Sequence, residues 1–291
     1  MPALFLAVGH NGQKLASADG ATWTAAPPGK EGETFRVAAV GNGRLVAIGS
    51  YGGGNIFAAS AGGKVWKQSS KDGQYSRYVR GLGFGNGAFL AVGGDPVSVG
   101  LGKPFVYLSV DGETWDGPHD VLGKFIIRRV AFGNKFFVGV GDRGRRAVSP
   151  NGKIWIDAEA GRAIDTLVDV AYGNGVFVGV GLHGLRMRTA DGTKWADRQI
   201  GDEGEHLNAV VWAKDRFVAV GAGATFVSPD GLKWERSATT NAPSSVAYGA
   251  GSFIGSRWKG KLMRSDDGIR WTETHAAEHH IEAVAFGTIE G

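Results

Sequence analysis

Cysteine is absent from the 291-residue chain, so disulfide staples and thiolate metal centres are excluded at once. Long apolar runs are missing too. No stretch approaches the roughly 20 residues that a membrane-crossing helix needs, and no membrane span is expected. The opening residues MPALFLAVGH carry no basic segment and no small-residue cleavage site after an apolar core, so no signal peptide is expected. The compartment is left open: inside the cell, or exported if a leader has been removed. A large charge of one sign is also lacking. The net charge is +4 with the basic residues scattered, which leaves no footprint for nucleic acid. Gly52-Gly53-Gly54 has no Lys-Ser or Lys-Thr after it and leads no helix, so a phosphate loop is excluded.

What is abundant is glycine, with 49 residues, and tryptophan, with nine. The glycines follow no three-residue period, which sets collagen aside and suits a chain that turns every few residues. Seven of the tryptophans close copies of one box: SADGATW at Trp23, SAGGKVW at Trp66, SVDGETW at Trp115, SPNGKIW at Trp155, TADGTKW at Trp195, SPDGLKW at Trp234 and SDDGIRW at Trp271. Successive tryptophans lie 43, 49, 40, 40, 39 and 37 residues apart, and the step from Trp271 through the C-terminus back to Trp23 is another 43. A repeat of about 40 residues overrides the two-domain expectation that length alone would give. The expectation is a single domain over 1–291.

The clearest unit reads LVDVAYGNG, VFVGVG, LRMRTADG and TKWADR over residues 167–198. Each piece is short, rich in Val, Phe and Tyr, and ends in a glycine turn, which is a strand signature. The Gly-Asn-Gly turns at 41–43, 85–87 and 173–175 suit the positive φ angles of a tight hairpin. The second strand carries a small residue at its centre in every unit: Ala7, Ala47, Ala91, Gly139, Gly179, Ala219 and Gly255. These small residues are expected to let the sheets approach near a crowded axis. In the box, Ser or Thr and Asp can bond the turn backbone while Trp lies on the neighbouring sheet. At ~25 cal/mol per Å² and roughly 150–250 Å² per ring, each Trp supplies about 4–6 kcal/mol gross.

Four antiparallel strands at this spacing predict an all-β fold, a seven-bladed β-propeller of four-stranded antiparallel blades. The chain ends IEAVAFGTIEG, which matches the first strand of a unit, and begins with FLAVG, which matches the second. One blade is therefore shared between residues 1–26 and 281–291, and pairing of the terminal segments closes the ring without an open edge.

The boxes resemble the Asp-box, or BNR, repeats of sialidases and related propellers, whose pattern is Ser-x-Asp-x-Gly-x-x-Trp. The resemblance covers the full chain. Here Asp19 and Gly20 are adjacent, as in the other copies, so the turn is one residue shorter, and Gly62 and Asn151 replace the Asp in two copies. In that family the boxes are structural and lie away from the active site. Sialidases hold the substrate carboxylate with three arginines, which by resemblance would be Arg36, Arg80 and Arg128. Such enzymes have six blades and an Arg-Ile-Pro motif; this chain has seven boxes and no such motif, so the resemblance implies the fold and not the activity.

In a meander, the first and third turns of each blade share one face, which here is uniform. The second turns and the inter-blade connections share the other, which varies as a scaffold with a grafted site should. The longest second turn, GDPVSVGLGKP at 94–104, and the connections at 24–34, 67–78, 116–126, 156–166 and 196–206 belong to this face. Aligning the innermost strands gives one position per blade at the mouth: Arg36, Arg80, Arg128, Val168, Asn208, Ser244 and Glu282, with Arg129 and Asp169 next to them. Three arginines on successive blades could cradle a carboxylate, sulfate or phosphate through forked hydrogen bonds. They could equally reach to solvent or pair with Asp169 and Glu282 across the channel.

A polysaccharide lyase would need a cation beside a uronate and a His or Tyr base, for which Tyr78, His206 and His279 lie on the appropriate face. Glycosidase chemistry would need two carboxylates, for which Asp169 and Glu282 are the candidates. The cluster His275 to His280 has no regular ligand spacing, so no metal and no cofactor are expected. The leading expectation is a monomeric binding propeller that takes a carbohydrate or anionic small ligand at the variable face. A glycan-active enzyme is the alternative, and a protein-docking scaffold the third reading.

Overall fold

The computed structural model describes residues 2–71, 78–95, 102–159, 161–239 and 241–289. Its strands form seven antiparallel sheets whose inner strands pack side by side around a central channel. The chain is a seven-bladed β-propeller. The inner strands are Ile281–Thr288 in blade 1, Thr34–Gly41 in blade 2, Tyr78–Gly85 in blade 3, Ile127–Gly133 in blade 4, Leu167–Gly173 in blade 5, His206–Ala213 in blade 6 and Ser245–Gly249 in blade 7. Blade 6 counts three strands rather than four because Arg216–Ser228 runs unbroken through both middle positions. Its first part pairs with the inner strand and its last part with Glu235–Thr239.

Blade 1 closes the ring as the terminal segments predict. Its inner strand comes from the end of the sequence and its other three, Ala3–Gly9, Lys14–Ser17 and Thr24–Ala25, from the beginning. Across the seam Ala3 faces Thr288 and Phe5 faces Phe286, whose rings lie 4.6 Å apart.

The box hairpins form a dense network within a few residues of sequence. In the first copy, the amide of Gly20 donates to Ser17 Oγ at 2.8 Å, and the amides of Ala21 and Thr22 donate to Asp19 Oδ1 at 2.8 Å. Trp23 Nε1 closes the loop on the carbonyl of Gly20 at 3.3 Å. Asn151 preserves this pattern, its Oδ1 accepting from Lys153 and Ile154 at 2.9 Å, because an amide oxygen serves as well as a carboxylate. The glycine of the box is needed twice over. Gly20 has φ +72°, and a Cβ there would lie 2.2 Å from Ile254 of the preceding blade.

Each hydrophobic cluster is shared by adjacent blades. Phe57 of blade 2 and Trp115 of blade 3, with ring centroids 5.0 Å apart, belong to one of them. A Cβ on Gly139, at the centre of a second strand, would meet Ile127 and the Trp155 ring of its own blade, one on Gly179 would meet Leu167 and Trp195, and one on Gly255 would meet Pro243 and the carbonyl of Ser245. The first two glycines make room for the blade's own tryptophan. The first turns reach across to the next box: Asn42 Nδ2 donates to the carbonyl of Val110 at 2.9 Å, and Arg216 Nη2 to that of Asp267 at 2.6 Å.

Candidate binding site

The inner strands begin at the face opposite the boxes, and their first residues surround the channel mouth. A cavity of about 220 Å³ opens there, lined by Arg36, Arg129, Asp169, Asn208, Ser244 and Glu282 among others. The structure thus brings together five of the nine candidate site residues, Arg36, Arg129, Asp169, Asn208 and Glu282. Arg80, Arg128, Tyr78 and His206 do not line the cavity.

Two of the lining groups are locked in place. Asp169 Oδ2 accepts the amide of Val210 at 2.8 Å. Burial pushes its carboxyl above the usual range, against the opposing pull of Arg129 and the backbone amides. Arg129 donates through Nη1 to the carbonyls of Arg80 and Arg128, the latter at 2.9 Å. Its guanidinium is correspondingly lowered by burial, and the carboxylate of Asp169 partly offsets that cost. The pair holds blades 3 to 6 in register around the channel.

The three arginines of the aligned mouth position have different fates. Arg128 forks onto Asp142 of its own blade, with Nη2 3.1 Å from Oδ2 and Nε also bonded. Arg36 stands 3.8 Å from Glu282, whose Oε1 also contacts His10 Nε2 at 2.8 Å. Arg80 lies between them. Among the described residues it makes no ion pair, and its Nε is buried without a hydrogen-bond partner. Burial lowers its pKa, and the charges of Arg128 and Arg36 lower it further against a smaller raising effect of Asp142 and Tyr78, whose ring centre lies 5.7 Å from the guanidinium. An arginine remains charged even so. Part of its charge is left for a partner to neutralise.

His206 is engaged elsewhere: its Nδ1 accepts the amide of His183 at 3.1 Å. The long turn at 94–104 and the connection at 67–78 lie partly outside the described residues, as does residue 160 of the connection at 156–166. Among the described residues no group of three His, Asp or Glu side chains is placed to hold a metal ion. Among the same residues no helix is long and apolar enough to cross a membrane.

Several residues of this face escape the alignment of inner strands. Trp258, in the second turn of blade 7, is 67% exposed and meets His280 at a tilt, with ring centroids 4.8 Å apart and planes at 54°. The available signal was that Trp258 falls outside the box register. Three blade junctions also carry buried ion struts. Glu33 stands with Lys14 and Gln68, Asp165 with Arg146 and Arg198, and Glu205 with Arg186 and Arg236. In each, the acid precedes a buried Phe or Leu by two residues, at Phe35, Leu167 and Leu207, a pattern present in the sequence.

No family model matches the chain, and no curated protein matches it. The fold, by contrast, is shared with solved structures. The structure described as YCF48 bound to D1 peptide superposes with a TM-score of 0.62 at 15% identity, covering 87% of this chain and 85% of that one. YCF48 from Cyanidioschyzon merolae gives a TM-score of 0.59 at 15% identity, covering 83% and 85%. The computationally designed Ika8 protein gives 0.57 at 14% identity, covering 97% and 90%. At such identities the likeness is one of architecture.

Proposed function

We propose that this propeller is a binding module that takes an anionic group of its partner at the channel mouth. The observation that carries the reading is Arg80, whose charge is unpaired among the described residues although Arg36 and Arg128 flank it and each has an acid. The channel cavity, which Arg36 lines and Arg80 does not, is about 220 Å³, below the ~300–1,000 Å³ of sites that enclose a whole ligand, so the anion is taken at the edge of the mouth. A glycosidase or lyase would need room around a scissile bond. The boxes are taken as a one-residue-shortened form of the Asp-box hairpin, with a structural role that leaves the mouth face free for recognition.

The test is binding of acidic peptides and acidic oligosaccharides, against neutral versions of each, to the intact chain and to Arg80→Ala. The expected loss on substitution is about 10- to 100-fold for every anionic probe that binds, the range of one charge-assisted hydrogen-bonding group. Binding that is indifferent to both probe charge and Arg80 would refute the reading. A docking-scaffold role is the second reading, favoured by a fold neighbour described with a peptide bound; it shares the same mouth and is distinguished by the peptide arm.

A further inference from the structure

Among the described residues Trp258 is the most exposed large aromatic of the mouth face. Its indole rests on His280, which meets His10 edge-on at 5.3 Å; His10 bonds Glu282, and Glu282 faces Arg36. With Arg80 next to Arg36, these residues form a continuous arc across blades 7, 1, 2 and 3. The arc begins with an apolar plane and ends with unpaired positive charge. His280 Nδ1 is buried without a hydrogen-bond partner beside the plane. Burial holds the His280 imidazole below its usual pKa, against the raising effect of Glu282, so the ring is neutral near pH 7 and offers one donor and one acceptor.

We infer that this arc is a subsite for an acidic oligosaccharide, with one pyranose ring laid on Trp258 and a carboxylate of a neighbouring residue held by Arg36 and Arg80. The inference rests on the reading of the mouth as an anion site. Shape decides between a sugar and a peptide side chain. Interface anchors of proteins sit in enclosed, desolvated pockets, whereas Trp258 is 67% exposed and, among the described residues, lies outside the channel cavity. An open aromatic plane with one imidazole, that of His280, against it suits the C–H face of a pyranose, which stacks flat and presents hydroxyls at its edge.

The experiment is calorimetric titration and tryptophan fluorescence with hexagalacturonate, its methyl-esterified form and a hexaglutamate peptide, on the intact chain and on Trp258→Ala, Trp258→Phe and Arg80→Ala. Hexagalacturonate is expected to bind and to perturb the fluorescence, Trp258→Ala to weaken it about tenfold, and Trp258→Phe to retain most of the affinity. Arg80→Ala is expected to erase the preference for the acid over the ester. Trp258 is exposed, so an unchanged thermal midpoint in its variants verifies that folding is intact. Hexagalacturonate binding that ignores Trp258 would overturn the subsite. Binding of hexaglutamate through Arg80 with no saccharide bound would overturn it too while sparing the anion site, and failure of all three probes to respond to Arg80 would remove both.

Discussion

The two faces of this ring are held together by different kinds of contact. On the box face the bonds that recur are local: Ser17 to Gly20, Asp19 to Ala21 and Thr22, and their copies span two or three residues and repeat almost unchanged around the ring, with longer reaches such as Asn42 to Val110 added between neighbours. On the mouth face the bonds join residues far apart in sequence and differ at each junction. Arg198 grips Asp165 across 33 positions, Arg236 grips Glu205 across 31, and His10 meets Glu282 across 272. Local contacts can be duplicated with the repeat, whereas distant ones are free to diverge. The uniform face therefore carries what every blade shares, and the varied face carries whatever distinguishes this propeller from others.

The comparison breaks first at the seam on which both faces depend. Deleting residues 281–291 removes the inner strand of blade 1 and exposes the paired edge of Ala3–Gly9. The loss is expected to exceed about 5 kcal/mol, enough to consume the marginal stability of an ordinary domain. Thermal unfolding of the truncated chain should lose its cooperative transition; a transition unchanged from that of the intact ring would show that closure contributes nothing.

Within the intact ring, a mouth-face strut should matter more than a box carboxylate. Glu205→Ala leaves the buried guanidinium of Arg186 without its acid and is expected to cost about 3–5 kcal/mol. Asp111→Ala, which frees two exposed-turn amides to bond water, is expected to cost about 1 kcal/mol. Urea denaturation of the two variants measures the difference, and equal midpoints would contradict it.

The smallest effect sharpens the same contrast through pH. Backbone bonds from Thr22 and Ala21 hold Asp19 down to about 2, and bonds from Lys194 and Thr193 do the same for Asp191. Because these values lie below those of the unfolded chain, the stability involved is complete above about pH 4 and is lost as the pH falls toward 2. The pair Asp19→Asn and Asp191→Asn should keep the hairpins, as Asn151 does naturally, and shed part of this acid sensitivity. Melting curves between pH 5 and about pH 2 provide the measurement; curves of identical slope for variant and parent would count against it.

The divide between the faces also explains what could be read from the residues alone. Blade number, the seam and the box hairpins were legible because each is written in contiguous residues, such as Asn42-Gly43 or Ser17 to Trp23, whose turn chemistry needs no knowledge of distant partners. The mouth was legible only in outline. Aligning inner strands placed Arg36, Asn208 and Glu282 correctly around one cavity, since a shared register fixes height in the channel. It could not say that Arg128 folds back onto Asp142, because Asp142 lies in the following turn and the pairing depends on the path of that turn. The register also passed over Trp258, whose position in a second turn places it outside any inner strand. The buried struts went unread for a related reason: Lys14, Arg146 and Arg186 occupy a site that other blades fill with Phe57 or Leu262, so the repeat itself disguised them as ordinary strand residues.

The seam has a mechanical corollary. Residues 3 and 288 stand opposite each other at one end of an antiparallel pair, so tension drawn through the two ends of the described chain would load that single rung, then Leu4 against Gly287, and so on in order. Such a joint peels like a zip instead of shearing all its bonds together. A ring closed in this way would yield to a modest pull, blade 1 first.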